Sequence, residues 1–187
     1  MRRGFKTEAE EVAADVREEL GIGLFAPLDP WLLAELLGVE VWALTTFHGA
    51  AQGCVDTLTG QAHGAFHAMI AFLGERQVIV HNDRNALVRQ HSDIAHELAH
   101  ALLVHEPHLA VAGQRFSYDK EQEKEAAWLS GALLAPRAAC LHACRNDMSV
   151  EATADWLHIS TAMARYRIDA SGARAHDERS RRKAGRR

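Results

Sequence analysis

Apolar and polar positions change period several times along the 187-residue chain, and each change marks an element. Within residues 7–20, Val12, Val16 and Leu20 recur every fourth position in an Ala- and Glu-rich background, which predicts an amphipathic helix. Gly21 and Gly23 end it. Asp29-Pro30 offers a cap and a first-turn proline for a short helix through Leu37, stopped by Gly38. Residues 39–45 are β-branched and at first alternate, so a strand is expected there. Residues 51–58 and 64–72 are weaker strand candidates, and 77–81 reads as a short buried strand. From Arg84 to about His105 the period is again that of a helix, with Leu87, Ile94, Leu98 and Leu102 near one stripe. Glu106-Pro107 closes it, and 110–118 reads as a loop. Asp119 can cap a second long helix over 120–134, ending before Pro136, with shorter helices expected at 137–145, 150–157 and 161–170.

The length favours one domain with at most a small appendage, and neither a repeat nor a long linker divides it. A hydrophobic fraction of 48% suffices for a core, and a net charge of −4 gives no global reason to expect nucleic acid as the main partner. The charge is uneven. Seven basic and two acidic residues make Ser171–Arg187 +5, which leaves the rest at −9. A short basic tail without apolar residues is expected to be disordered and solvated. The expected organisation is therefore a domain over 1–170, with a short helical part at about 146–170, and a basic tail over 171–187.

Cys54, Cys140 and Cys144 are too few to form a disulfide framework and point to a reducing compartment. Cys140 and Cys144 could share a helix face but lack a second ligand pair, so they read as small core residues. No apolar run follows Arg2-Arg3, and none approaches the roughly 20 residues that span a bilayer. A cytoplasmic protein is expected.

The chemistry lies in His96-Glu97-Leu98-Ala99-His100. Two histidines four apart stand one above the other on a helix face and can converge on one Zn²⁺. Glu97 is about 100° round the helix, displaced from the ligand face but able to reach a metal-bound water as general base. Apolar neighbours (Ile94, Ala95, Leu98, Ala99, Leu102, Leu103) place the motif on a packed helix, where unpartnered histidines and a glutamate would be costly. A third protein ligand is still needed. The extended motif is absent, since Leu103 and Glu106 stand where it has glycine and histidine, so the ligand should come from another helix. Glu121-Gln122-Glu123-Lys124-Glu125 is the best supply. Glu121 and Glu125 share a face there, and Glu123 is turned away from both. A solvated acidic face suits Glu121 and Glu123 better than Glu125, which abuts the apolar stretch from Ala126 to Leu134.

The two segments 95–103 (AHELAHALL) and 123–136 (EKEAAWLSGALLAP) resemble the two core motifs of the ImmA/IrrE family of metallopeptidases. The helix before Gly38-Val39-Glu40-Val41, and Val78 to Asn82 before the active helix, are also in that family's order, so the resemblance covers roughly residues 8–168. It implies an α+β fold, a mainly helical, gluzincin-like domain with a small sheet packed on the active-site helices. It also implies zinc as cofactor, His96 and His100 as zinc ligands, Glu97 as the catalytic glutamate and Glu125 as the third ligand. The chain departs from the family at Ala99, Ala127 and Ala135, where Gly, Asn and Met are usual.

A peptide hydrolase also benefits from a donor to the developing oxyanion. His105, His108, Tyr118, His142 and His158 are candidates among which the sequence does not choose. His63 and His67 are also four apart, but Gly64 and strand-like surroundings spoil a helical pair. The resemblance further implies a protein partner, a helix-turn-helix transcriptional repressor that is cleaved to release a stress or mobile-element response. Two other readings compete. One is a regulatory or toxin–antitoxin interaction protein on the same fold with a vestigial metal site. The other is direct nucleic-acid binding through Arg165, Arg167 and the basic tail, which Glu151, Asp155 and Asp169 dilute.

Overall fold

The sheet has three short strands, β1 (Glu40–Ala43), β2 (Ala68–Leu73) and β3 (Arg76–His81), in the order β1-β3-β2. β1 runs parallel to β3, and β2 pairs antiparallel to it from Ala68 opposite His81 to Leu73 opposite Arg76. β3 is central, and its Val78 and Ile79 are buried. Nine helices complete the described part of the chain: α1 (Phe5–Glu19), α2 (Pro30–Leu36), α3 (His48–Thr59), α4 (Leu87–Leu102), α5 (Lys120–Leu134), α6 (Arg137–Arg145), α7 (Val150–Leu157), α8 (Thr161–Ala170) and α9 (Ala173–Ala184). The structure is a computed structural model, and it describes residues 1–60, 66–105 and 119–184. The fold is α+β and mainly helical, as expected. None of the described helices is long and apolar enough to cross a membrane.

Two compact units can be distinguished. The first comprises Met1–Arg2 and Asp29–Ala127 and contains the sheet, α2, α3, α4 and the start of α5. Asp29 caps α2 by accepting the Trp31 N–H at 2.9 Å, with Pro30 in the first turn. α4 lies against α2, β2 and β3, and Ile94, Ala95, Leu98 and Ala99 are fully buried on its inner side. β1 ends at Ala43, earlier than the alternation predicts, because a 3-10 helix over Leu44–Phe47 follows. Asp83 pins that turn, accepting from the Thr45 N–H at 3.1 Å and from the Thr45 hydroxyl at 2.5 Å.

Residues 51–58, a strand candidate in the sequence, lie instead in α3. Among the described residues the sheet has only β1, β2 and β3, and this segment joins none of them. Only Val55 of α3 is buried, and the Thr57 and Thr59 hydroxyls donate back to the Gly53 and Val55 carbonyls one turn earlier.

The second unit comprises Arg3–Leu28 and Trp128–Arg187. Two buried arginines organise it by satisfying carbonyls that the end of α5 leaves open. Arg17 of α1 donates to the Leu133 carbonyl at 2.8 Å and to Ala26 at 2.7 Å. Burial lowers its pKa to about 10. Arg167 of α8 donates to the Ala135 carbonyl at 3.0 Å and pairs with Glu10 at 2.5 Å. Glu10 also accepts the N–H of Arg137, the first residue of α6, at 2.7 Å. Arg167 is therefore core, and it is not part of a basic surface.

Gly131 makes room for this arginine: a Cβ there would stand 2.9 Å from Arg167 Cδ, too close without movement. Gly131→Ala is accordingly expected to destabilise the chain by about 1–3 kcal/mol although alanine is the better helix former. Urea denaturation would check this, and an equal or raised midpoint would contradict the packing described.

The segment from 171, expected as a disordered tail, carries α9 through Ala184. Ala173 anchors it in the core, and Arg181 donates to Asp147 at 2.8 Å, to the Cys144 carbonyl at 3.0 Å and to Asp177 at 2.7 Å. Basic residues that make the segment read as a solvated tail thus find acceptors on and beside the helix. The three cysteines are free, and burial raises the Cys140 thiol to about 11, in keeping with a core role.

Candidate metal centre

His96 and His100 lie one turn apart on α4, with their Nε2 atoms 3.2 Å from each other. The rest of the helix circumference explains why they face outwards together: the residues between and around them fill the core. From α5, Glu123 Oε2 stands 3.2 Å from His96 Nε2, and Glu123 Oε1 stands 3.4 Å from His100 Nε2. The three donor atoms lie within 4.8 Å of one another, and no other such group of three was found among the described residues. The side chains are 28%, 12% and 22% exposed for His96, His100 and Glu123, so the cluster is sheltered yet open on one side.

The donor set fits zinc. Four ligands arranged tetrahedrally at bond lengths of ~2.0–2.1 Å stand about 3.3 Å from each other. The 3.2 Å between the two histidine Nε2 atoms is that of two corners of such a site, and the Glu123 carboxylate, with Oε2 3.2 Å from His96 and Oε1 3.4 Å from His100, can supply a third and leave the fourth for water or substrate.

The family resemblance implies Glu125 in this place. The structure brings Glu123 there, and gives Glu125 another partner in its own unit. Glu125 accepts the backbone N–H of Arg2 at 2.9 Å, and the Arg2 guanidinium lies 3.7 Å from its other oxygen. Glu123 and Glu125 are about 200° apart round α5, so turning one towards the histidines turns the other away. Ala127, one turn after Glu123, lines a cavity of about 550 Å³ with His96, Lys120, Glu123 and Lys124, which marks the same face of α5. Glu121 is paired with the Met1 amino group and with Lys124, at 2.7 Å for the latter, and takes no part.

Glu97, one position past His96, points towards β2, where its Oε2 accepts the Ile70 N–H at 3.1 Å. β2 is an edge strand, so this N–H has no ladder partner to compete for it. Burial raises the Glu97 carboxyl to about 7; the Ile70 bond works against this, and the nearby Glu123 and Asp93 carboxylates add to it. A divalent cation on the neighbouring histidines would act in the opposite direction. Asp93, one turn before His96 and Glu97, is buried and held by Arg89 at 2.9 Å.

A family model described as the IrrE N-terminal-like domain, Peptidase_M78, matches residues 55–169. The chain belongs to this family. The match spans more than half of the chain and takes in His96, Glu97, His100, Glu123 and Glu125, so the cluster sits in a metallopeptidase-type domain. No curated protein matches the chain.

Of the positions that depart from the family pattern, Ala99 is fully buried on the core side of α4, and its methyl group takes no space from the site. Ala127 leaves the cavity beside His96 without the amide usual there. Of the five candidate oxyanion donors, His105 is close to the cluster, with Nδ1 2.9 Å from His100 Nδ1. Burial lowers its pKa, and the carboxylates of Glu125, Glu123 and Asp119 oppose that shift. His142 and His158 belong to the second unit, the former stacked on Phe25 with ring centroids 4.7 Å apart and the latter at the C-terminal cap of α7. His108, Tyr118 and His63 lie outside the described residues. His67 stands 3.8 Å from Asp93 and outside the donor group. From the sequence Glu123 reads as part of a solvated acidic face, and nothing along the chain points to the Ile70 N–H.

Proposed function

We propose that the chain is a zinc-dependent peptidase that cuts peptide bonds in a protein, with His96, His100 and Glu123 as ligands and Glu97 as general base. The observation that carries the reading is that the Glu123 carboxylate reaches both histidine Nε2 atoms, which stand 3.2 Å apart, with Glu97 held beside them. Zinc bound there would supply a Lewis acid and an acidified water. The remaining work falls to the chain itself. The Ile70 N–H holds the Glu97 carboxylate against β2, so that one oxygen is restrained before any substrate arrives. A glutamate whose burial brings it near neutrality can take a proton from water and return it to the leaving amine. The small Ala127 and the cavity between Lys120 and Lys124 leave space for a polypeptide next to His96. Resemblance to the ImmA/IrrE metallopeptidases supports a helix-turn-helix repressor as the protein cut, by limited proteolysis.

Metal content tests the ligand set. Purified protein is expected to hold about one zinc per chain by elemental mass spectrometry. His96→Ala and Glu123→Ala should each weaken zinc binding by 100-fold or more, beyond the roughly 10–100-fold typical of a residue that only supports a ligand. Glu125→Ala should keep the metal. Loss in Glu125→Ala with retention in Glu123→Ala would return the third position to Glu125, and absence of stoichiometric metal after reconstitution would sink the peptidase reading.

A further inference from the structure

The turn that ends α4 has an unusual residue at its centre. Val104 adopts a left-handed conformation, with φ 51°, and is 86% exposed. A β-branched residue pays for that conformation, which glycine ordinarily takes. The hydrogen bonds identify the turn. The Val104 N–H donates to the Ala101 carbonyl at 3.1 Å, and the His105 N–H donates to the His100 carbonyl at 3.1 Å. These are the two bonds of a Schellman motif, which sets the residue after the left-handed position against the residue five before it. That pair usually makes an apolar contact. Here it is His105 and His100, and their Nδ1 atoms meet at 2.9 Å with ring centroids 5.0 Å apart.

Two ring nitrogens at 2.9 Å share a single proton, so one must donate and the other accept. His100 presents its other nitrogen, Nε2, to His96 and Glu123 at 3.2 and 3.4 Å. A metal ligand must offer a lone pair at that atom, which places the ring's proton on Nδ1. We infer that His105 is a positioning residue for the metal centre: its Nδ1 accepts the Nδ1–H of His100 and holds that ring with Nε2 unprotonated towards Glu123 and His96. The inference rests on the zinc reading above. It also accounts for a histidine at a position where the motif favours an apolar side chain, and for a turn kept in spite of its strained valine.

The test compares three replacements in the full chain. His105→Leu restores the apolar contact usual in this turn and removes the acceptor. His105→Asn keeps an acceptor, its Oδ1, near the place of Nδ1. His105→Ala removes both. Affinity for Zn²⁺, measured by competition with a chromophoric chelator, is expected to fall about 10–100-fold in the Leu and Ala variants and to stay within about threefold of the wild type in the Asn variant. A purely structural role would give the opposite order, with Leu the best tolerated. Nitrogen-15 NMR of the metal-free wild-type chain gives a readout independent of metal. His100 is expected as the Nδ1–H tautomer, and the preference should disappear in His105→Leu. Wild-type zinc affinity in His105→Leu, or the Nε2–H tautomer of His100 in the wild type, would overturn the inference. A wild-type chain that binds no zinc but shows the Nδ1–H tautomer would sink the metal reading and leave the tautomer lock standing.

Discussion

Glu97→Gln is expected to bind zinc as the wild type does and to lose peptide hydrolysis by a factor of about 10²–10⁴, the usual contribution of a positioned proton carrier. The substitution keeps the shape and keeps an oxygen for the Ile70 N–H, which now meets Glu97 Oε2 at 3.1 Å. What it removes is a group that can take a proton. Metal content should therefore stay near one per chain while turnover of an unfolded protein substrate disappears, and the two measurements together separate chemistry from folding. Unchanged hydrolysis with zinc bound would remove Glu97 from the mechanism. Loss of zinc along with activity would instead mean that Glu97 acts on the ligands. An interaction protein with a vestigial site makes a third pattern: a cellular phenotype that Glu97→Gln leaves intact.

Glu10→Ala is expected to cost about 3 kcal/mol of stability, a large share of the ~5–15 kcal/mol that separates a folded domain from its unfolded chain. The carboxylate of Glu10 compensates Arg167, whose side chain is wholly buried, and at the same time accepts the first N–H of α6. Its removal leaves an unbalanced charge in the core beside Trp128, whose ring lies 5.3 Å from the guanidinium, and uncovers the start of a helix. Desolvation makes the remaining half of such a pair more harmful than the intact pair is helpful. The double variant Glu10→Leu with Arg167→Met should accordingly lose less than the sum of the single changes. Urea denaturation monitored by circular dichroism measures Glu10→Ala, the two single changes and the double variant. A loss below about 0.5 kcal/mol for Glu10→Ala would show that water reaches Arg167 and that the arginine does not organise this unit.

Much of the local structure was legible in the sequence, for reasons that are themselves local. Lys120–Leu134, Arg137–Arg145, Val150–Leu157 and Thr161–Ala170 form helices with the bounds their caps and breakers predict, and Ser149 and Ser160 accept N–H groups at two of their starts. The His96-Glu97-His100 motif was equally readable, because spacing on one helix brings the histidines together whatever surrounds them. Residues 51–58 are helical and not a strand: a short, weakly apolar run fits either state, and here only Val55 is buried. The basic segment after 171 went astray because its arginines find Asp147, Asp169 and the Cys144 carbonyl, acceptors that charge counting along the chain does not see.

The sequence by itself determined most of the helices, the pairing of His96 with His100 on one helix face and the family, since each depends on neighbours within a few turns. Tertiary structure decided which glutamate meets the histidines. Glu123 and Glu125 lie on opposite sides of α5, both are carboxylates, and only the rotation of that helix against α4 selects Glu123 and leaves Glu125 to Arg2. It also decided that Arg167, one of several arginines in the sequence, lies buried against Glu10 and the end of α5, because burial is a property of what packs around a side chain.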